Sequence, residues 1–178
     1  MRKFGLLAST FFICSILAGF YGIIHDQVTF SVSPEYFTKF KYVQFGLEPS
    51  YYGGHRPVVA IIGFLATWWT GLIIGVLLVL TGLVYPDHKM MRAAIKKAIV
   101  IVICFAVLAG FAGFIYGKIH LIKTGVNWWL PGDLVDKNSF IIVGSIHNFS
   151  YAGGFIGLII SIVYLIVGNK KENHSRMN

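Results

Sequence analysis

Four uninterrupted apolar runs, at residues 4–24, 58–84, 98–117 and 140–168, contain no Asp, Glu, Lys or Arg and constrain this chain more than any other feature. A helix needs roughly 20 mainly apolar residues to cross a hydrocarbon core about 30 Å thick, and each run is long enough. The spacing therefore predicts an all-α membrane protein, a bundle of four transmembrane helices. Composition agrees: 12% of residues are charged and 56% hydrophobic, whereas soluble domains carry about 25% charged residues. A net charge of +8 raises nucleic-acid binding as an alternative. The basic residues lie between apolar runs rather than along one soluble face, so no nucleic-acid partner is expected. The partner expected first is the lipid bilayer itself.

The first run follows Arg2 and Lys3, as in a secretory leader, but it is too long for a leader's apolar segment and no small-x-small site follows. It is expected to remain as a span. Cys14 and Cys104 sit alone within apolar runs and read as small buried hydrophobes. Orientation follows from the basic residues, which cytoplasmic loops retain. Arg2, Lys3, Lys89, Arg92, Lys96, Lys97, Lys170, Lys171 and Arg176 share one side with only Asp87 and Glu172. On the other side Lys39, Lys41, Arg56, Lys118, Lys123 and Lys137 are nearly balanced by Asp26, Glu35, Glu48, Asp133 and Asp136. Both termini are therefore expected in the cytoplasm, with a cytoplasmic loop at 85–97, a tail at 169–178 and outer loops at 25–57 and 118–139. The whole chain reads as a single membrane domain.

The outer loops are not featureless. Val28, Phe30 and Val32 alternate with polar residues, a short strand-like pattern. Ser33-Pro34 suits the start of a helix, and Pro49 with Gly53-Gly54 breaks the chain before the second span. Trp128 and Trp129 suit the headgroup level. Within the spans, Gly71/Gly75, Gly113/Gly117 and Gly153/Gly157 recur at four-residue spacing. Such glycines let helices approach closely, either inside one bundle or against a homo-oligomer or another membrane protein.

Four of the six histidines fall at the outer ends of the four spans: His25, His55, His120 and His147. In a bundle these positions share one depth, with Asp26 and Glu35 nearby. Imidazole and carboxylate together ligate zinc, iron, manganese or copper, and Asp26, Gln27 or His120 could orient a ligating ring from behind or take a ligand position instead. The bland alternative is that the histidines bond to headgroups and loop backbone. His88 and His174 read as solvated loop residues. Trp68 and Trp69 lie at mid-span, where they either wall a flat cofactor such as a quinone or haem, or pack against glycine-lined neighbours; packing is the simpler expectation. Asn148, Ser150 and Tyr151 carry polarity into the fourth span and are expected to face the bundle interior.

Several segments resemble a family of uncharacterised bacterial four-span membrane proteins: residues 21–29 (YGIIHDQVT), 35–38 (EYFT), 66–69 (ATWW) with Gly71-Leu72, and His147 with Ser150-Tyr151 and Gly153-Gly154-Phe155. The resemblance implies a bacterial inner-membrane location and supplies a residue pattern rather than an activity. It favours His25, Glu35 and His147 over His120. Relatives carry Gly-His-Pro soon after EYFT, where this chain has Lys39-Phe40-Lys41, and His55-Arg56-Pro57 is the nearest substitute.

Three functions follow as expectations. The first is a metal-dependent enzyme at the outer face acting on a lipid-soluble substrate, with His25, Glu35, His147 and His55 as ligands and Tyr36 or Tyr151 as proton donor. The second is a small transporter or metal-handling carrier, opposed by the lack of charged residues inside the spans. The third is a non-catalytic assembly subunit of a larger membrane complex. Converging histidines favour the first; histidines pointing apart favour the last.

Overall fold

In the computed structural model, residues 2–177 are described, except for the side chains of residues 2–4, 7 and 170–177. The side chains of Arg2, Lys3, Lys170, Lys171, Glu172, His174 and Arg176, on which part of the orientation argument rests, therefore lie outside the described residues. The described chain is all-helical, without a strand. Its long elements are α1 (Arg2–Val32), α4 (His55–Gly82), α5 (His88–Tyr116) and α7 (Lys137–Met177), with short helices α2 (Pro34–Tyr36), α3 (Tyr42–Phe45) and α6 (Ile122–Thr124). Four helical segments, Ala8–Val32, His55–Gly82, His88–Thr124 and Lys137–Asn169, are long and apolar enough to cross a membrane. Helix is the economical form for such segments, because each backbone N–H and C=O finds its partner within the segment.

The first span runs past its expected end. Val28, Phe30 and Val32 belong to α1 rather than to a strand. Five alternating residues cannot distinguish the two periods, and tertiary contacts favour the helix: Phe30 meets Phe37 at 5.5 Å and His55 at 6.0 Å, while Thr29 is buried. Ser33 then leaves helical geometry and Pro34 opens α2 as expected, although the Ser33 hydroxyl does not cap it. A π turn over Phe37–Lys41 leads into α3, which Gly46 ends at φ 63°, a left-handed position glycine adopts without a steric penalty. This helical segment folds back over one end of the bundle. Tyr36, Phe37 and Tyr42 pack there on Val58, Val59 and Ile62 of α4 and on Phe140 and Val143 of α7.

The spans pack as two close pairs, α1 with α4 and α5 with α7, and touch more sparingly across the pairs. The spaced glycines account for this. A Cβ on Gly71 would collide with the Cys14 carbonyl of α1, and one on Gly153 with Ala109 and the Phe105 carbonyl of α5. Gly22 and Gly63 face each other backbone to backbone. Hydroxyls add bonds at the same seams: Thr67 Oγ1 donates to Ala18 O at 2.7 Å, Ser145 Oγ to Gly113 O at 2.8 Å and Ser161 Oγ to Ala98 O at 2.9 Å. At the opposite end of the bundle, Leu78, Val79, Met91, Ile95, Ala98 and Leu165 form a second apolar cluster. Asp87 caps α5 there by accepting from the Lys89 and Met90 amides.

Two predictions follow from this packing. Gly71→Ala should lower stability by about 1–3 kcal/mol through forced separation of α1 and α4, read as thermal unfolding in detergent, whereas Gly154→Ala should be nearly neutral because an added Cβ meets nothing within 4 Å. The Met90 and Lys89 amide bonds hold the Asp87 carboxyl below its usual range. A depressed folded pKa means that the cap contributes fully above the unfolded value and is lost as pH falls through the folded one. Thermal stability should therefore decline on acidification below about pH 4, and Asp87→Asn, which retains a capping oxygen, should flatten part of that decline.

Candidate metal centre

Helical spacing places one functional face on each of two spans from opposite pairs. On α1, Cys14, Ala18, Tyr21 and His25 fall on one side, and on α7 so do His147, Ser150, Tyr151, Gly154 and Leu158. Where these faces meet at the outer end, Asp26 and His147 are buried, each 4% exposed. His25 Nδ1 lies 3.1 Å from Asp26 Oδ1, and Ser150 Oγ lies 3.2 Å from His25 Nε2. His147 Nδ1 is 2.9 Å from the Val143 carbonyl, which can only accept, so Nδ1 carries the proton. Nε2 of a neutral His147 is then a lone pair, yet it faces the same Asp26 Oδ1 at 3.2 Å. Asp26 Oδ2 is buried with no partner at all. Two acceptors facing each other beside an orphaned carboxylate oxygen require a positive species, a proton or a metal cation, to bind them. One ligand atom from each of His25, Asp26 and His147 lies within 4.8 Å of the others.

The outer segment covers this group. Tyr36 stacks on the His147 ring at 4.8 Å and 24°, and packs on Phe140 at 5.0 Å. Burial pushes the Tyr36 hydroxyl well above the usual phenol range. The ammonium of buried Lys41 sits 5.5–6.0 Å from the ring centres of Tyr36, Phe40 and Phe45, and burial lowers its pKa. On the other side of the group, a cavity of about 290 Å³ runs between the two helix pairs. Its walls are mostly apolar below the level of Tyr21 and Tyr151, with Thr67 and Thr70 of α4 among them.

Sequence spacing places the histidines at helix ends but does not give their direction. His25 and His147 converge; His55 and His120 do not. His55 Nδ1 bonds to the Tyr42 hydroxyl at 3.1 Å, and exposed His120 stacks on Tyr116 at 5.0 Å. Glu35 also lies apart from the cluster. Its carboxylate accepts from the Val135 and Asp136 amides at 3.0 and 2.7 Å, tying α2 to the start of α7. Asp26, expected behind a ligand or as an alternative one, stands between the two histidines. Its position inside α1 would have marked it, since an acid within a span is a functional signal, but the expected span ended at residue 24. Gln27 points elsewhere and exchanges hydrogen bonds with Arg56. Trp68 and Trp69 neither wall the cavity nor pack inward: Thr67, Thr70 and Gly71 take the inner face of α4, leaving both indoles half-exposed on the opposite side. Ser150 is buried in the interior as expected, Tyr151 lines the cavity but is half-exposed, and Asn148 lines a shallow aromatic pocket with Trp128 and Trp129.

No family model, curated protein or solved structure matches the chain. The class defined by fold and site is an apolar four-helix bundle, compatible with an integral membrane protein, that carries a His/Asp cluster at one end of an internal cavity.

If Glu35 is a tether rather than a ligand, Glu35→Ala should speed hydrogen exchange at the Val135 and Asp136 amides and cost about 1–3 kcal/mol. It should leave the metal content of the purified protein unchanged.

Proposed function

We propose that this protein is a bacterial inner-membrane metalloenzyme. In this reading both termini are cytoplasmic, His25, Asp26 and His147 hold a divalent transition metal near the outer face, and the substrate is lipid-soluble. The observation that carries the proposal is the unsatisfied pair of acceptors, His147 Nε2 against Asp26 Oδ1, with Asp26 Oδ2 orphaned beside it. Two imidazoles and one carboxylate form a ligand set that suits zinc, iron or manganese and leaves coordination positions open. The Val143 carbonyl orients His147 from behind, as outer partners of metal-bound histidines do. With Ser150 Oγ accepting from Nε2–H, Nδ1 of His25 is free to bind. A bound metal would supply Lewis-acid activation. Tyr36 and the overlying aromatic residues exclude water from one side, and Tyr21 and Tyr151 offer hydroxyl groups on the cavity side. The basic loop residues support the orientation, through their preference for the cytoplasmic face.

Elemental analysis of protein purified without chelators tests the proposal. Wild type should carry near-stoichiometric zinc, iron or manganese, His25→Ala and His147→Ala should lose it, and Asp26→Asn should lower affinity at least tenfold. His120→Ala and His55→Ala should retain the metal. Wild type that stays metal-free after attempted reconstitution, while eluting as a folded species, would sink the proposal and assign the acceptor pair a shared proton instead.

A further inference from the structure

The cavity identifies the class of molecule that the site receives. Its histidine and aspartate side chains are gathered at one end, and the rest of the lining down to Cys14 and Leu158 is mostly apolar, with the Thr67 and Thr70 hydroxyls bonded to the backbone carbonyls of Ala18, Gly63 and Thr67. From His147 to Leu158 the helix rises roughly 16 Å at about 1.5 Å per residue, long enough for a chain on the order of a dozen carbons. The volume of about 290 Å³ is about twice that of an engineered cavity of roughly 150 Å³ that takes up benzene. The cavity also opens sideways. Leu17 on α1 and Tyr151 and Phe155 on α7 line it while remaining 39%, 48% and 65% exposed, at a level where α1 and α7 are not closely packed. In a bilayer this opening faces acyl chains rather than water.

We infer that the cavity binds a single-chain lipid-soluble molecule with an oxygen-bearing head, entering laterally from the bilayer between α1 and α7 and bringing its head to Asp26. This deepens the metalloenzyme reading by naming its substrate class, and it rests on that reading only for the chemistry at the head. The tail is held by apolar contact. The head needs an oxygen that reaches the polar end of the cavity, lined by His25, Asp26, His147 and Ser150, where it can exchange a hydrogen bond or occupy an open position on the metal. A fatty alcohol and an isoprenoid quinol both satisfy this description.

Gly154 provides a test that spares the helix seams, since it lines the cavity and an added Cβ meets nothing within 4 Å. The protein in lipid nanodiscs would be photolabelled separately with a diazirine-bearing dodecanol and a diazirine-bearing quinol carrying two isoprene units. At least one probe is expected to label Leu17, Tyr151 or Phe155, mapped by mass spectrometry. Gly154→Leu, and independently Thr70→Leu from the α4 wall, should reduce that labelling at least fivefold. Ala112→Leu, on an exposed face, should not. The probe that labels identifies the chain type, and equal labelling by both shows that the tail governs binding. Label spread over lipid-facing side chains and indifferent to both filling variants would overturn the inference. Metal content is read on the same samples: cavity labelling without metal removes the metalloenzyme reading and leaves the binding site, whereas metal without cavity labelling does the reverse.

Discussion

A single buried carboxylate sets the chemistry at one end of this bundle. Asp26 on α1 faces both His25 on its own helix and His147 on α7, so the polar contact crosses from one helix pair to the other. The tight seams lie within the pairs, where glycine brings backbones together and hydroxyls reach across to carbonyls. Between the pairs, contact is sparser. The cavity follows from that difference: helices drawn together by glycine on one side leave space on the other, and the Asp26 cluster closes it at one end.

The same arrangement explains why the polar groups are tolerated. An ionisable group inside an apolar span is costly unless it is paired or solvated, and the three side chains supply one another with most of what they need. What they lack is local and chemically specific: one lone pair too many at Asp26 Oδ1 and no donor at Oδ2. The outer segment removes water as a remedy from one side by laying Tyr36 and Phe37 over His147. Glu35, with the ion pair between Lys39 and Asp133, fastens that segment to the loop before α7.

Individual residues show how far the chain could be read in advance. The four helices were legible because hydrocarbon-crossing helices leave an unmistakable signature of length and absent charge, and the glycine spacing announced close packing. The strand-like pattern at residues 28–32 misled because hydrogen bonding within α1 and packing against Phe37 and His55 outweigh a five-residue alternation. His25 and His147 were found by depth. Asp26 stands between the histidines while Glu35 is turned to the Val135 and Asp136 amides, and hydropathy does not reveal this because the first helix continues past its apolar run through Val32 and carries Asp26 inside it.

The sequence by itself determined the number of long apolar helices, their apolar character and where along them polar residues occur, because each is a local consequence of chain composition. Tertiary structure alone decided which polar residues meet. Depth along a helix can be counted from sequence, but direction around it depends on which neighbour each face packs against. Pairing α1 with α4 and α5 with α7 turned His25, Asp26 and His147 toward one another, sent His55 to Tyr42 and His120 outward, and opened the cavity beneath them.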